Sequence, residues 1–174
     1  MVYKIRKVQS GDAAALAHVQ GTSWNETYRG LLPDSAIDFR LAPEGFLRSW
    51  SDRLQADPGP FLNQVAVAST SDGERVVGFV TSGPSRSPQF GLPGEVLALY
   101  LLGSEQGRGV GRLLWEAAID ELRERSLCPG FVWVLADNRA AGFYQHLGAT
   151  EIARRECQVP GASHLEEIAL RFDG

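Results

Sequence analysis

The pattern of apolar and polar positions divides the 174-residue chain into alternating strand-like and helix-like stretches. Two apolar runs, Val96 to Leu102 and Phe131 to Ala136, have the length and composition of strands that are buried on both faces. A helix-like pattern separates them, and a strand–helix–strand unit of this length connects parallel strands by a right-handed crossover. We therefore expect the two runs to lie side by side in a sheet.

Shorter patterns on either side complete the expected fold. Period-two alternation predicts further strands at Val2 to Val8, Gln64 to Ser69, Arg75 to Thr81, Thr150 to Val159 and His164 to Phe172. Helical spacing predicts helices from Ala13 to Pro33 with Asp12 as cap, from Pro43 to Asp57, through an apolar face of Val110, Leu113, Leu114, Ala117 and Leu122, and from the cap Asn138 to Gly148. The segment Ser82 to Gly94 is predicted as an exposed loop that borders the substrate. The expectation is a single α/β domain, residues 1–174, with a mixed sheet of about seven strands.

The charge balance and the cysteines narrow the classes of function. With 17 basic against 21 acidic side chains, the chain lacks the footprint of a nucleic-acid-binding protein, so an anionic ligand needs a local basic patch. Cys128 and Cys157 form no Cys-x-x-Cys pair, which favours core residues over a zinc site or a disulfide. No signal-peptide pattern and no 18-residue apolar span are present. We expect a cytoplasmic protein without membrane contact, and no metal site.

Three glycines at alternate positions, Gly107, Gly109 and Gly111, follow the first long apolar run and precede a helix. This layout presents free backbone N–H groups to a phosphate. The dinucleotide fingerprint fails because its third glycine is replaced by Arg112, and no Gly-Lys-Ser/Thr exists for a P-loop. Glu105 followed by the three glycines does satisfy an S-adenosylmethionine motif, but only 63 residues follow Gly111, too few for the strands that such a domain still requires.

Four segments carry a resemblance to a known family, and two of them are motifs at the correct spacing. They are Ser23 to Pro33, Leu99-Tyr100-Leu101, Gln106-x-x-Gly109-x-Gly111 and Asn138-x-x-Ala141-x-Phe143-Tyr144-x-x-x-Gly148. In these segments the chain resembles the GNAT superfamily of acyl-CoA-dependent N-acetyltransferases. The resemblance implies a mixed, mostly antiparallel sheet of about seven strands with a central, splayed parallel pair, flanked by about four helices. Gly103 stands where many relatives carry proline, and we expect it to loosen the turn without altering the site.

The resemblance implies acetyl-CoA as the acyl donor. Its pantetheine arm would lie between the splayed strands against backbone groups of Leu99, Tyr100 and Leu101, where an N–H would polarise the thioester carbonyl. Its pyrophosphate would meet the N–H groups and arginines at the start of the helix. The residues of this turn are Gln106, Gly107, Arg108, Gly109, Val110, Gly111 and Arg112. By the same match Asn138 would hydrogen-bond the coenzyme, alone or in addition to its cap role.

Catalytic and acceptor residues follow from the same resemblance. Tyr144 matches the family's tyrosine near the sulfur, where a protonated phenol donates to the thiolate; the alternative is a core aromatic residue. Glu95, at the start of the central strand, is the best-placed carboxylate for a general base, and a solvated charge at a strand end is its alternative. Trp24 and Tyr28, four residues apart on one helix, would line the acceptor side, unless they are core residues.

The leading hypothesis is an N-acetyltransferase that transfers an acetyl group to the primary amine of a small molecule or peptide by direct attack. The alternatives are a non-catalytic acyl-CoA-binding sensor and, behind it, an S-adenosylmethionine-dependent methyltransferase. The net acidic surface favours cationic acceptors through steering alone. Homodimers are frequent in the family that the chain resembles.

Overall fold

The computed structural model describes residues 2–40, 45–56, 59–71 and 73–174. The strands within these ranges are β1 Val2–Lys7, β2 Leu62–Thr70, β3 Gly73–Pro84, β4 Gly94–Leu101, β5 Gly130–Leu135, β6 Thr150–Glu156 and β7 Glu166–Phe172. The α-helices within the same ranges are α1 Ala13–Tyr28, α2 Asp34–Arg40, α3 Gly45–Gln55, α4 Val110–Glu124 and α5 Arg139–His146. Short 3-10 turns lie at Ser10–Asp12, Pro88–Phe90 and Gly103–Glu105.

The strands form one seven-stranded sheet in the order β1-β2-β3-β4-β5-β7-β6. The central pair β4 and β5 is parallel, and every other neighbouring pair is antiparallel. The predicted fold class is therefore confirmed, including the central parallel pair. The described ranges hold five α-helices against the expected number of about four.

The helices cover the two faces of the N-terminal half of the sheet. Phe79 of β3 packs against Trp50 of α3, with ring centroids 5.1 Å apart. Its neighbour Gly78 faces the other way, where a Cβ atom would lie 3.1 Å from Leu114 of α4. Because successive residues of a strand point to opposite faces, α3 and α4 lie on opposite sides of the sheet. The helix α1 packs with α3.

The first predicted helix begins at Ala13 as expected but differs from the observed one in its end and in its cap. The helix α1 ends at Tyr28, and a separate helix, α2, follows at Asp34–Arg40. Asp12 precedes α1 but does not cap it with its side chain. Its carboxylate instead accepts hydrogen bonds from the Arg6 guanidinium at 2.7 and 2.9 Å and from the Gln9 backbone N–H at 2.8 Å. An ion pair with a neighbouring strand thus replaces the expected cap.

Two further expectations required correction. The strand β3 continues to Pro84, and Ser82, assigned to an exposed loop, is only 1% exposed, so the loop between β3 and β4 is shorter than predicted. The buried face of α4 is Val110, Leu114, Trp115, Ala118, Ile119 and Leu122. Leu113, expected on that face, is 41% exposed. The expected helix start at Pro43 and its stop at Asp57 lie outside the described residues.

Cys128 and Cys157 are both free, and Cys157 is buried in a small core under α2. No helix among the described residues is long and apolar enough to cross a membrane. Across those same ranges, no group of three His, Cys, Asp or Glu side chains is placed to hold a metal ion.

Candidate active site

The parallel strands β4 and β5 separate shortly after they meet. They pair over only three register positions of β4, Gly94 to Val96. Leu97 is an extra residue in β4, because Val96 and Ala98 pair with consecutive residues of β3. At this bulge β4 passes from buried residues to the half-buried stretch 97–100. The end of β4 therefore presents a main-chain edge that is paired with no strand of the described residues.

The glycine turn follows this edge and leads into α4. Gly107 and Gly109 have φ values of 72° and 82°, in the left-handed region that favours glycine. A Cβ atom at either position would have no heavy atom within 4 Å, so the space beside the turn is open. Gly111 is different, since its Cβ would make ordinary contact with Phe143 at 3.5 Å. Backbone conformation, rather than crowding, accounts for the first two glycines.

The N-terminus of α4 has no side-chain cap. Gly109 occupies the N-cap position, and the Leu113 N–H donates to the Gly109 carbonyl at 3.1 Å. The N–H groups of Val110, Gly111 and Arg112 lie before that bond and have no intrahelical acceptor. Such a group of donors, with the positive end of the helix dipole, is suited to a phosphate.

A buried carboxylate holds the turn in place. Glu105 is 2% exposed and accepts hydrogen bonds from the Tyr3 hydroxyl at 2.6 Å and from Arg75 at 2.5 Å. The hydrogen bond to Glu105 raises the pKa of Tyr3. Gln106 Nε2 donates to the Leu101 carbonyl at 3.4 Å, and Arg108 Nε lies 3.9 Å from Glu105. Glu105, the acidic residue of the S-adenosylmethionine-like motif, therefore anchors the turn to β1 and β3.

Gly103 is tied to α1 instead of being loose. Its N–H donates to Glu26 Oε2 at 2.9 Å, a bond that proline cannot make. A Cβ atom at Gly103 would lie 2.9 Å from the same carboxylate oxygen. The expectation that Gly103 loosens the turn is wrong, because this hydrogen bond fastens the turn to α1.

Four aromatic side chains meet beside the gap. The Tyr100 hydroxyl accepts a hydrogen bond from Trp24 Nε1 at 2.9 Å, and the Trp24 and Tyr28 rings are 4.8 Å apart. Tyr144, on α5, is 4% exposed and packs 5.1 Å from Trp115. Burial raises the pKa of both Tyr28 and Tyr144, and Tyr100 adds to each effect. The predicted acid and the two predicted acceptor residues are thus brought together around Tyr100.

Glu95 is buried and paired, which the sequence did not indicate. It is 1% exposed and lies in register with Phe131 of β5. Its Oε2 accepts from Arg86 N at 2.9 Å and Arg86 Nε at 3.3 Å, and its Oε1 accepts from Arg86 Nη2 at 2.7 Å. The only sequence signal for this partner is one arginine in a loop rich in proline, glycine and serine.

An aromatic wall continues from Glu95 across β5. Phe90, from the loop before β4, packs 5.0 Å from Phe131 and 5.8 Å from Trp133. The Arg155 guanidinium lies 3.9 Å from the centre of the Trp133 ring and its Nε is 2.7 Å from Glu167. Sequence reasoning missed this wall because its members come from a loop and three strands.

Asn138 caps α5, as predicted. Its Oδ1 accepts a hydrogen bond from the Ala140 N–H at 2.9 Å, and Gly148 follows α5 with a φ value of 93°. Arg112, the other predicted contributor of charge, pairs with Glu116 at 2.7 Å and is 68% exposed at its side chain.

A splayed parallel pair leading into a glycine turn and an uncapped helix is the arrangement of an acyl-CoA-dependent acetyltransferase. Residues 22–149 match the Acetyltransferase (GNAT) family, and the chain belongs to this family. It is accordingly an acyltransferase with acetyl-CoA as cosubstrate. This family assignment excludes the alternative of an S-adenosylmethionine-dependent methyltransferase.

Individual relatives agree with the family assignment. The chain is 31% identical to the uncharacterized N-acetyltransferase YuaI of Bacillus subtilis (strain 168) over 166 residues, which cover 95% of this chain and 90% of YuaI. The crystal structure of PaiA N-acetyltransferase from Thermoplasma acidophilum in complex with coenzyme A has a TM-score of 0.73 at 20% identity and covers 100% of both chains. The ribosomal-protein-S18-alanine N-acetyltransferase of Escherichia coli has a TM-score of 0.68 at 20% identity, covering 99% of this chain and 94% of the other.

Proposed function

We propose that the protein transfers an acetyl group from acetyl-CoA to the primary amine of a small molecule or peptide, by direct attack in a ternary complex. The observation that carries the proposal is the gap between β4 and β5, which begins after Val96 and ends at the uncapped N-terminus of α4. Tyr144 and the acceptor-side residues Trp24 and Tyr28 belong to the cluster beside it. The proposed positions of the acetyl donor, the acid and the base therefore lie around this gap.

The coenzyme would be held mainly by main-chain groups. The free edge of β4 at Leu99, Tyr100 and Leu101 is suited to the pantetheine amides, and an N–H of this edge would polarise the thioester carbonyl. The donors of the glycine turn are suited to the pyrophosphate; the residues proposed for it are Gln106, Gly107, Arg108, Gly109, Val110, Gly111 and Arg112. Asn138 uses Oδ1 for its cap, which leaves its Nδ2 donor for the coenzyme.

Tyr144 is the proposed acid. Burial raises its pKa, so the phenol stays protonated at neutral pH and is able to donate to the leaving sulfur. The new bond joins the amine nitrogen to the acetyl carbon as the carbon–sulfur bond breaks. The proton from Tyr144 ends on sulfur, and a proton from the amine leaves through the base.

Glu95 is the proposed base, directly or through water. A carboxylate offers about four lone-pair positions, and Arg86 uses three of them in this structure. Oε1 accepts one hydrogen bond and Oε2 accepts two, so the remaining position is on Oε1. We place the proton transfer at that atom.

The acceptor is proposed to enter between the cluster of Trp24 and Tyr28 and the wall formed by Phe90 and Trp133. The Escherichia coli neighbour, by its name, acts on the alanine of a ribosomal protein, which is a peptide amine. Aromatic walls favour the apolar part of an acceptor, and its amine would then meet Glu95. The chain's surplus of acidic side chains, 21 against 17 basic, favours a cationic acceptor by steering.

Two assays on the purified chain test this function. Coenzyme A at 100 times its Kd is expected to stabilise the protein by about 2.7 kcal/mol, a rise in Tm of about 5–10 °C. S-adenosylhomocysteine serves as the control and should leave Tm unchanged. A screen of amines with acetyl-CoA should then release free thiol. No thermal shift with either acyl-CoA or coenzyme A would contradict the proposal, and a shift without thiol release from any amine would leave a binding protein rather than an enzyme.

A further inference from the structure

The Arg86–Glu95 pair combines a fully buried carboxylate with an exposed cation. The Glu95 side chain is 2% exposed, whereas that of Arg86 is 58% exposed. All three hydrogen bonds to the carboxylate come from this single residue, one of them from its backbone N–H. A buried carboxylate without partners is strongly unfavourable, so the orientation of Glu95 and the satisfaction of its oxygens depend on Arg86.

The loop that carries Arg86 has its own internal bonds. The Ser85 N–H donates to the Pro93 carbonyl at 2.8 Å, which closes the loop at its base. The Ser87 N–H donates to Ser85 Oγ at 3.1 Å. At its far side Phe90 packs against Phe131. The position of Arg86 is therefore fixed from both ends of the loop.

No second charged side chain is bonded to Glu95 from the described residues. Its register partner on β3 is Gly83 and on β5 is Phe131, neither of which titrates. Beyond Phe131, β7 places Arg171 in register, and that guanidinium is bonded to Asp173 at 2.7 Å. Arg86 is thus the cation that governs this carboxylate.

We propose that Arg86 is a positioning residue for the general base: its three hydrogen bonds hold the Glu95 carboxylate in one orientation and leave one Oε1 lone pair directed to the acceptor amine or its water. The proposal rests on the proposed function, since it takes Glu95 as the base. The proposal also gives the loop 85–93 a role. Movement of this loop would take Arg86 away from Glu95 and Phe90 away from the aromatic wall.

The test compares pH profiles of kcat/KM for an amine found in the screen. Arg86→Gln removes the guanidinium and keeps the backbone N–H bond to Oε2, so Glu95 stays buried without its neighbouring cation, and burial favours the protonated carboxyl. We expect its acid limb to move to higher pH by about one unit or more, with kcat at pH 7 about 10-fold lower. Arg86→Lys should recover part of both losses.

A matched control exists near the other end of β3. Arg75 is 50% exposed and bonds Glu105, which is 3% exposed, so this pair also joins an exposed arginine to a buried carboxylate, although Glu105 has a second donor in Tyr3 and the pair serves the glycine turn. Arg75→Gln should lower Tm as Arg86→Gln does and raise the KM for acetyl-CoA, but its acid limb should stay at the wild-type pH. Arg86→Gln should instead leave the KM for acetyl-CoA within about twofold.

An unmoved acid limb in Arg86→Gln, with Tm lowered as in the control, would make Arg86 a structural residue only and overturn the proposal. If Glu95→Gln kept the wild-type rate and pH profile, Glu95 would not be the base, and the proposal for Arg86 would be overturned. Thiol release would still support the acetyltransferase activity in that case. Should no amine release thiol, the acetyltransferase proposal fails instead. The carboxyl ¹³C titration of Glu95 in both proteins then decides the role of Arg86, because an unchanged midpoint in Arg86→Gln would overturn it.

Discussion

The helices α4 and α5 each follow one strand of the central parallel pair, yet they begin differently. In α5 the Asn138 side chain accepts the Ala140 N–H at 2.9 Å, so the chain satisfies its own donor. In α4 the N-cap is Gly109, which has no side chain, and the first donors are left open. The comparison separates two proposed roles: the open helix α4 is the one proposed to bind the coenzyme phosphates, and the closed helix α5 carries the proposed acid, Tyr144.

The largest expected effect comes from closing the open helix. Gly109→Asp places a carboxylate where it caps the free N–H groups and repels a phosphate, at a φ value of 82° that aspartate tolerates better than most residues. We expect the Kd for coenzyme A to rise about 100-fold or more, or about 2.7 kcal/mol, by isothermal titration calorimetry.

Gly91→Asp is the matched control for this change. Gly91 also has a positive φ, 62°, and open space beside it, but it lies outside the turn. Its variant carries the same new charge and a similar strain, and should bind coenzyme A with the wild-type Kd. Equal affinities in the two variants would show that the open N-terminus does not bind the coenzyme.

The second effect concerns the closed helix. Tyr144→Phe removes one hydroxyl from a buried ring and leaves its packing against Trp115 in place. We expect kcat to fall about 100-fold, because the leaving sulfur loses its proton donor. The Kd for coenzyme A, measured by the same calorimetry, should not change. If Tyr144→Phe lowered the affinity for coenzyme A and left kcat unchanged, Tyr144 would be a binding residue and not the proton donor.

Alkaline pH gives a third effect, again through Tyr144. Its folded-state pKa is raised by burial, so above about pH 10 the unfolded chain loses a proton that the folded chain keeps. Stability therefore falls with rising pH by about 1.4 kcal/mol per pH unit from this group. Urea unfolding between pH 9 and about 11 should show a total loss of stability that is smaller by about 1.4 kcal/mol in Tyr144→Phe. Parallel curves for the two proteins would contradict the assignment.

The smallest effect opens the closed helix. Asn138→Ala removes the cap and should cost about 1 kcal/mol, a fall in Tm of about 2–4 °C by calorimetry. Asn138→Asp keeps an acceptor oxygen and should retain most of that stability. Because aspartate lacks the Nδ2 donor, its KM for acetyl-CoA should nevertheless rise. A normal KM in this variant would restrict Asn138 to its role as a cap.

Local features of the structure followed from the sequence. The glycine turn, the Asn138 cap and the strand positions depend on neighbours a few residues apart, where backbone preferences decide. The assignment of the coenzyme site residues relied on the spacing of Gln106, Gly109 and Gly111 together with family resemblance. These three positions lie together between β4 and the first turn of α4.

Features set by distant contacts were not predictable. The Gly103 N–H is bonded to Glu26, 77 residues away, and Tyr3 to Glu105, 102 residues away. The prediction of which face of α4 is buried was wrong for a related reason. Apolar residues lie on more than one face of this helix, and packing against the sheet buries Trp115 and leaves Leu113 exposed. Periodicity alone does not choose between such faces.

The brief pairing of β4 with β5 has a consequence for how the protein tolerates mutation. Over its last residues β4 exposes main-chain groups, so its contribution to the site is a shape of the backbone rather than a set of side chains. Apolar exchanges at Leu99 or Leu101 would preserve that shape, whereas proline would remove an N–H. Substitution can therefore accumulate along this strand while the site persists, and the same fold recurs in PaiA at only 20% identity.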